Sequence, residues 1–478
     1  MNIIYFNPDQ LRADFLGCYG HPVVQTPNMD RLAEDGVRFD QCHVENPVCT
    51  PSRCCFMTGW YPHVRGHRSL WHTLADDEPN TLRYLRNSGY DVHWIGKNDL
   101  LTAESIQSSV TKVHSTSGGA GGIGRGIFTK DDPGYWSFLY GPEKGHASDW
   151  HRVQEGVRFL HSRTKDDPPF MLFLALGNPH VPFTCPQPWY DMYSPDDFEP
   201  VRPAELENMP DFHQLIRKYR NLDQLDEKYF RKLRAVYAGM ITYVDETLGR
   251  ILQTLRETGQ EENTAIFFFS DHGEWAGDYG LVEKWPSAMD DCMTRVPMIV
   301  RAPGAARGHV VYEPVECFDI MPTTLEVAGV ECGHDHFARS MRSQLEGNAG
   351  DPDRAVYCEG GYDARERQCV EMEPGQPHDV PNDGDNVYYP KGLQQQEHPE
   401  SVCRTTMIRT QDHKLILRPN GQSELYEYAS DPNETVNLYN TPDRQTIQQQ
   451  LETRLLNWYV STSDVVPRQR SDRGFGFL

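Results

Sequence analysis

The 478-residue sequence lacks any apolar run of about 18 residues, the length that a helix needs to cross a membrane. Its first ten residues hold no basic segment followed by a long apolar stretch, so no secretory signal is visible. We therefore expect no membrane partner and a cytoplasmic protein, or a periplasmic or secreted one if the chain is a trimmed mature form.

A disulfide framework and a zinc-binding cysteine pattern are also missing. The 12 cysteines are scattered, apart from the adjacent Cys54 and Cys55. In a chain of this length, such scattered cysteines are typical of reduced thiols in the core or in loops. The cysteine pattern therefore favours a reducing compartment.

Cations are few. The chain has 46 Lys and Arg against 69 Asp and Glu, which gives a formal net charge of −23. This balance excludes a nucleic-acid partner, which would require a basic face. An anionic substrate is still compatible with it, because a metal ion and clustered Lys and Arg can reverse the sign of the field inside a cleft.

Short apolar segments alternate with segments of helical periodicity through the first three quarters of the chain. The apolar segments are residues 2–6, 91–96, 170–176, 264–270 and 297–302, and the helical ones are 26–36, 80–89, 150–162, 230–258 and 318–329. Strands separated by helices predict an α/β fold with a large, mostly parallel sheet sandwiched by helices.

The character of the chain changes near residue 351. Residues 359–402 are polar and rich in Gly and Pro, which is typical of a long loop or insertion. Two strand-like segments then flank Asn420 and Gly421, a dipeptide that favours a hairpin turn, and a last helix is expected over residues 444–459. We predict an α/β catalytic domain over residues 1–350 and a smaller C-terminal α+β subdomain with an antiparallel sheet over residues 351–478.

Polar side chains follow several of the apolar segments, where ligands collect at the carboxyl ends of parallel strands. These residues are Asp9, Gln10, Lys97, His180, Asp271 and His272. Carboxylate and amide oxygens suit a hard divalent cation, most naturally calcium, and an included histidine would tolerate manganese or magnesium. The alternative is that the Asp-Gln and Asp-His pairs are solvated turns.

A C-x-P-S-R sequence runs from Cys49 to Arg53. Pro51 and Ser52 are helix start signals, so residue 49 is expected just before a helix N-terminus, where free N–H groups favour an anion. Arg53 would add a fixed cation. Taken alone, the same residues are compatible with a buried structural cysteine or a thiol nucleophile of low pKa.

The stretch NPVCTPSRCCFMTG resembles the signature of type I sulfatases in the alkaline-phosphatase superfamily. Further motifs occur in that family's order along nearly the whole chain: NPDQLRADFLGCYGH, TPNMDRLAEDGVRF, IGKNDL, NPHVPF, FFFSDHGEWAGDYGLVEKW, RVPMIVRAPG, FDIMPTTLEVAG and ELYEYASDPNETVNL. The resemblance implies a sulfatase-like fold and a sulfuric ester hydrolase.

The resemblance also implies that Cys49 is oxidised to formylglycine (3-oxoalanine) by a formylglycine-generating enzyme or an anaerobic maturase. The hydrated aldehyde has one hydroxyl for attack and a second that lets the adduct collapse. A serine in its place would leave a sulfate ester that is hard to hydrolyse.

Roles for other residues follow from the same resemblance. Asp9, Gln10, Asp271 and His272 would hold the metal ion, which Cys49 would also touch. Arg53 would orient the nucleophile, Lys97 and Lys284 would neutralise sulfate oxygens, and His180 would be the general acid at the leaving oxygen.

The chain departs from the family pattern at two places. GKNDL replaces the frequent GKWH, so that Asp99 stands where a histidine normally assists sulfate elimination. Asp99 itself, another histidine such as His67, or a rebuilt loop would have to serve instead. The first metal pair is Asp9-Gln10 rather than Asp-Asp, which lowers the negative charge of the site and is found in some sulfatases and phosphonate monoesterase relatives.

Less decisive candidates remain. His63 and His67 would line the cleft or pack at a helix end, and Trp71, Trp94 and Trp275 would stack on a sugar ring or lie in the core. Substrate-binding candidates in the insertion are Arg365, Arg367 and His378, which could reach over the site.

Three functions stay open at this point. The first is a sulfatase that acts on a sulfated carbohydrate such as a glycosaminoglycan poly- or oligosaccharide. The second is an aryl-sulfatase or a phosphonate or phosphate monoester hydrolase with the same nucleophile. The third is an inactive sulfatase-like binding protein in which Cys49 is unmodified.

Overall fold

The computed structural model describes residues 1–114, 127–145, 148–371 and 386–468. Its strands are β1 Asn2–Asp9, β2 Val37–His43, β3 Asp91–Gly96, β4 Lys112–His114, β5 Phe170–Pro179, β6 Thr264–Phe269, β7 Arg295–Arg301, β8 His309–Val311, β9 Val315–Glu316, β10 Val356–Gly360, β11 Thr405–Arg409, β12 His413–Leu417 and β13 Glu424–Glu427.

The α-helices of the same residues are α1 Pro27–Glu34, α2 Cys49–Thr58, α3 Pro62–Arg65, α4 Thr81–Asn87, α5 Ala103–Ser109, α6 Ser148–Ser162, α7 Asp211–Tyr219, α8 Glu227–Glu257, α9 Asp291–Thr294, α10 Ile320–Ala328, α11 Arg342–Leu345, α12 Tyr389–Glu397 and α13 Gln445–Thr462. None of them, within the described ranges, is long and apolar enough to cross a membrane.

The described residues form a nine-stranded sheet in the order β4-β3-β5-β1-β6-β7-β2-β8, with β9 pairing beside β2. Strands β3, β5, β1 and β6 run parallel to one another, which confirms the predicted α/β class. Strand β7 is antiparallel to β6. The segment 270–294 between them contains the short α9 and a 3-10 turn at Asp278–Gly280 but no crossover helix, so β7 returns along the sheet in the opposite direction.

Both faces of the central strands are buried, as the continuous apolar runs predict. Ile4 and Phe6 belong to one hydrophobic cluster and Ile3 and Tyr5 to a second one. Since successive side chains of a strand point to opposite faces, the two clusters lie on the two sides of the sheet. The sheet is therefore held rigidly between two cores, and its strand ends are fixed in position.

Helix α2 begins at Cys49, earlier than the start that Pro51 and Ser52 predict. Val48 has extended backbone angles and its carbonyl accepts from the Ser52 N–H at 3.0 Å, so Cys49 is the first helical residue rather than the one before the helix. All ten residues of α2 are buried, and Gly59 ends the helix with a φ of 70°. Cys49 thus lies in the first turn, next to free N–H groups.

A second, four-stranded antiparallel sheet has the order β10-β11-β12-β13. Its β12–β13 pair is the hairpin predicted around Asn420 and Gly421. Strands β10 and β11 and helix α12 were not predicted, and α12 falls inside the segment that we expected to be a loop. The predicted boundary at residue 350 lies between β9 and β10, and the division into two domains stays a prediction.

Candidate active site

Three elements bring four potential metal ligands together at one edge of the large sheet. Asp9 ends β1, Asp271 and His272 follow the neighbouring parallel strand β6, and Cys49 begins α2. One ligand atom from each residue lies within 4.8 Å of the others, and all four residues are buried. The Cys49 Sγ is 3.1 Å from His272 Nε2 and 3.5 Å from Asp9 Oδ1. The strand-end residues picked out in the sequence therefore share one site.

Arg53 joins the two carboxylates of this cluster. Its Nε donates to Asp271 Oδ2 at 2.9 Å and its Nη2 donates to Asp9 Oδ2 at 3.0 Å, and all three side chains are fully buried. Burial lowers the pKa of Arg53, but the two carboxylates outweigh burial and raise it above its usual range. Its remaining nitrogen, Nη1, is buried and has no hydrogen-bond partner among the described residues, which leaves one donor for a bound group.

The donor set fits a divalent cation. Arg53 occupies one oxygen of each carboxylate, and the other oxygen of Asp9, Oδ1, lies 3.5 Å from Cys49 Sγ and 3.4 Å from His272 Nε2. His272 donates from Nδ1 to the Gly273 carbonyl at 2.9 Å, and this bond leaves the Nε2 lone pair for a metal. Oxygen atoms with one imidazole suit calcium, magnesium or manganese.

Gln10 lies beside the cluster in a left-handed conformation, with a φ of 69°. Its backbone N–H donates to Asp271 Oδ1 at 3.1 Å, its side-chain Nε2 contacts Glu274 Oε2, and its Oε1 is 3.4 Å from Lys284 Nζ. The amide nitrogen is therefore held by Glu274, and the oxygen is left for Lys284 or a metal ion.

Glu274 is a buried residue that the sequence analysis missed. Its Oε1 accepts from the N–H groups of Ala276 at 3.0 Å and Glu283 at 2.6 Å. Burial raises the pKa of Glu274, and these hydrogen bonds act against the rise. The Asp-Gln pair alone suggested a site of lower negative charge, yet this extra carboxyl group lies directly beside Gln10. The SDHGEW motif contained the signal, because Glu274 stands two positions after His272, the second of the two predicted ligands in the motif.

Lys97 and Lys284 approach Cys49 from two directions. Lys97 Nζ donates to Asp9 Oδ2 at 2.8 Å and is 4.0 Å from Cys49 Sγ. Burial raises the pKa of Asp9, but Lys97, His180, His272 and Arg53 together hold that pKa well below its usual range. The two ammonium groups supply fixed positive charge for anionic oxygens bound at Cys49.

His180 contacts Lys284 directly. Its Nδ1 donates to the Val181 carbonyl at 2.7 Å, and its Nε2 is 2.6 Å from Lys284 Nζ. Burial and the positive charge of Lys284 lower the pKa of His180 well below its usual range. His180 is therefore a neutral imidazole whose Nε2 accepts a hydrogen bond from the Lys284 ammonium.

Asp99 occupies the position where the resemblance expected a histidine. Its Oδ2 pairs with Lys97 Nζ at 2.6 Å. His67 points elsewhere: its Nε2 bonds Glu78 at 2.9 Å and its Nδ1 lies 2.8 Å from the His72 carbonyl. Asp99, but not His67, lies in the wall of the cavity above Cys49.

That cavity has a volume of about 560 Å³ and opens from Cys49 toward solvent. Its lining residues are Cys49, Thr50, Leu70, Trp71, Thr73, Lys97, Asn98, Asp99, His180, Glu283, Lys284, Glu371, Tyr388 and Lys391. Glu283, Glu371, Tyr388 and Lys391 were not predicted, because their place beside Cys49 depends on tertiary packing between segments that are distant in the chain.

The remaining candidates lie away from this cavity or outside the described residues. The Arg365 side chain is 89% exposed and pairs with Asp363, and Arg367 begins a short 3-10 helix outside the cavity lining. His378 falls outside the described residues. His63 bonds Glu359, and Trp94 and Trp275 are core residues. Trp71 is the candidate aromatic residue that lines the cavity.

Comparisons with known proteins identify the family of the chain. The family model described as Sulfatase matches residues 1–330. Among curated proteins, the chain is 26% identical to the multifunctional alkaline phosphatase superfamily protein PehA of Trinickia caryophylli, over 97% of this chain and 96% of that protein. It is 27% identical to N-acetylglucosamine-6-O-sulfatase of Bacteroides thetaiotaomicron, over 94% of this chain and 84% of that protein.

Solved structures show the same fold. The phosphonate monoester hydrolase SpPMH from Silicibacter pomeroyi superposes with a TM-score of 0.73 at 23% identity, covering 96% of this chain and 95% of that one. A structure of BT4656 in complex with its substrate D-glucosamine-2-N,6-O-disulfate superposes with a TM-score of 0.71 at 23% identity, covering 96% and 98%.

Proposed function

The chain belongs to the sulfatase family and is a sulfuric ester hydrolase, and from this premise we propose that it removes sulfate from a sulfated carbohydrate. The observation that carries the proposal is the buried cluster of Asp9, Cys49, Asp271 and His272, with Lys97 and Lys284 beside it. Carbohydrate is favoured because the curated relatives include an N-acetylglucosamine-6-O-sulfatase and an ulvan-active sulfatase.

Two groups would complete the site. Asp9, Gln10, Asp271 and His272 would hold a divalent ion, most naturally calcium, which would supply positive charge next to the sulfate oxygens. Cys49, converted to formylglycine by a maturation enzyme, would supply the nucleophilic hydroxyl. The first-turn position of Cys49 suits this role, since the free N–H groups of a helix N-terminus favour developing negative charge.

The chain's own residues then have separate tasks. Arg53 holds Asp9 and Asp271 in one orientation by binding one oxygen of each, and the two carboxylates would be ligands of the ion. Lys97 and Lys284 neutralise sulfate oxygens. His180 and Lys284 form a hydrogen-bonded pair that can deliver a proton to the leaving oxygen, which matters for a poor leaving group such as a sugar alkoxide.

The test is a turnover screen of the purified protein over sulfated mono- and oligosaccharides and 4-nitrophenyl sulfate. We expect sulfate release that chelator abolishes and calcium restores, and mass spectrometry of the Cys49 peptide should show the aldehyde. Bound metal is measured by elemental analysis. Modified, metal-loaded protein that releases sulfate from none of these compounds would refute the proposal.

A phosphonate monoester hydrolase is the second candidate. It is favoured by Gln10 at the second metal position, and two solved phosphonate monoester hydrolases share the fold along 96% of the chain. Phenyl phosphonate monoesters therefore belong in the same screen. A kcat/KM on the phosphonate above that on every sulfate ester would decide for this candidate.

A further inference from the structure

The outer wall of the cavity contains a charge cluster that the proposed reaction does not use. Lys391, on α12, has a side chain that is only 1% exposed. Its Nζ lies 3.1 Å from Glu283 Oε1 and 3.0 Å from Glu371 Oε2. One ammonium group is thus shared between two carboxylates that both line the cavity.

Glu283 connects this cluster to the sulfate-binding end. Its Oε1 is 3.2 Å from Lys284 Nζ, and its Oε2 accepts from Arg220 Nη2 at 3.2 Å. Burial raises the pKa of Glu283, but Lys391, Lys284 and Arg220 outweigh burial and hold that pKa well below its usual range. Glu283 is therefore ionised, and the cluster is a set of fixed charges.

Every lysine among the described lining residues already contacts a carboxylate. Lys97 pairs with Asp99 and Asp9, Lys284 with Glu283, and Lys391 with Glu283 and Glu371. A sulfate at Cys49 would draw on Lys97 and Lys284, which lie at the inner end. A second anionic group near Glu283 would find Lys391, whose charge is shared by two acids, and the carboxylate of Glu371 in the same wall.

The rest of the outer wall suits an uncharged ring. Leu70, Trp71 and Tyr388 supply apolar and aromatic surface, and Thr73 and Asn98 supply uncharged hydrogen-bonding groups. Pockets of this composition bind a ring by its faces and orient it by a few polar contacts.

Resting on the proposed function, we propose that the site accepts sulfate esters whose sulfate is their only anionic group. Glu371, which shares Lys391 with Glu283, is the specificity-determining residue that rejects substrates with a second sulfate or a carboxylate. Selection would come from a repulsive contact rather than from an additional attraction.

The test compares 4-nitrophenyl sulfate with 3-carboxy-4-nitrophenyl sulfate, which differ by one carboxylate. We measure kcat/KM on both compounds for the wild-type protein and for Glu371→Gln, and take the ratio of the two values for each protein. The different intrinsic reactivity of the compounds affects both ratios equally and cancels when the ratios are compared. We expect Glu371→Gln to shift the ratio toward the carboxylated compound by about tenfold, since an amide keeps a contact with Lys391 and removes the like charge. Glu366→Gln is the matched control, because Glu366 pairs with Arg404 outside the cavity, and it should leave the ratio unchanged.

A second measurement separates this inference from the proposed function. Binding of the same two sulfates to Cys49→Ala is measured by calorimetry, with and without Glu371→Gln, and needs no turnover. If neither compound is hydrolysed, the protein does not act on aryl sulfates, which contradicts that part of the proposed function. The ratio of the two binding affinities still tests the role of Glu371. A ratio that Glu371→Gln leaves unchanged in both measurements, or a Glu366→Gln shift of equal size, would overturn it.

Discussion

The two ends of the cavity are built differently. At the inner end, Asp9, Arg53 and Asp271 are fully buried, and each comes from a strand end of the large sheet or from the helix packed against it. At the outer end, Asp99 is 22% exposed, and further wall residues, Glu371 and Lys391, come from distant parts of the chain. The inner end is set by the core of the fold, whereas the outer end is assembled from loops and one short helix.

This difference separates chemistry from selectivity. The inner charges are held by mutual contacts, such as the two bonds from Arg53, so their geometry changes little when the substrate changes. The outer wall can vary without disturbing the sheet, since Glu371 and Lys391 lie outside the strands of the large sheet. We therefore expect substitutions at the inner end to abolish turnover and substitutions at the outer end to change which substrates are used.

The largest effect is expected for Cys49→Ser. A serine has one hydroxyl and no second one to release the sulfate, so steady-state turnover should be lost and at most one product should form per active site. The measurement is a progress curve at high enzyme concentration. Cys54→Ser, a buried thiol in the same helix, is the matched control and should keep turnover. Normal multiple turnover by Cys49→Ser would break the assignment of chemistry to the inner end.

The next largest effect is expected for His180→Ala on a sugar sulfate. His180→Ala disrupts the Lys284–His180 pair that delivers the proton, and general acid catalysis contributes about 10²–10⁴-fold. The kcat should fall by this factor on an alkyl or sugar sulfate and much less on 4-nitrophenyl sulfate, whose leaving group needs no proton. His180→Gln is the informative companion, because its amide can bind a sulfate oxygen but cannot give up a proton. Equal losses on both substrates, or full rescue by the Gln variant, would reduce His180 to a binding residue.

Residues at the inner end could be predicted because they lie at the ends of apolar strands. Asp9 and Asp271 end neighbouring parallel strands, and the parallel sheet itself followed from alternating apolar and helical segments. The start of α2 predicted at Pro51 and Ser52 was too late, since the sequence does not show that Val48 is the N-cap residue and that the first turn begins at Cys49. The antiparallel direction of β7 also required the structure, because the path of a loop without a crossover helix is not encoded in a local pattern.

Residues at the outer end could not be predicted in the same way. Helix α12 lies in a polar, Gly- and Pro-rich stretch without a clear apolar period, and its Lys391 contacts Glu283, which is 108 residues away in the chain. Such a contact depends on tertiary packing. Glu274 was also missed, although it stands within a motif already noted, because its partner Gln10 follows another strand. Long-range pairs of polar side chains were thus the part that sequence patterns did not reveal.

Glu274 allows a smaller, sharper test at the inner end. Removing its carboxylate in Glu274→Ala frees the amide of Gln10 to turn, and loss of a residue that orients a ligand typically costs about 10–100-fold in metal affinity. Glu274→Gln keeps an acceptor oxygen and should lose less. Calcium affinity is measured by calorimetry on the purified variants. In a Gln10→Ala background, Glu274→Ala should have no further effect, and strictly additive losses would contradict the pairing.

The smallest effects distinguish a residue of the cavity wall from a predicted substrate-binding residue outside it. Trp71 lines the cavity, whereas the Arg365 side chain is 89% exposed and pairs with Asp363 at 2.7 Å. Loss of an aromatic contact is worth about 0.5–1.5 kcal/mol, so Trp71→Ala should raise KM for a sugar sulfate by about three- to tenfold with a smaller change in kcat. An exposed ion pair contributes about 0–1 kcal/mol, and Arg365→Ala removes one that does not face the cavity, so KM should change by less than about twofold.

The sequence predicted Arg365 as a substrate-binding residue that reaches over the site. A larger KM effect for Arg365→Ala than for Trp71→Ala would support that prediction. It would show that the segment that carries Arg365, rather than the residues around Trp71, contacts the substrate.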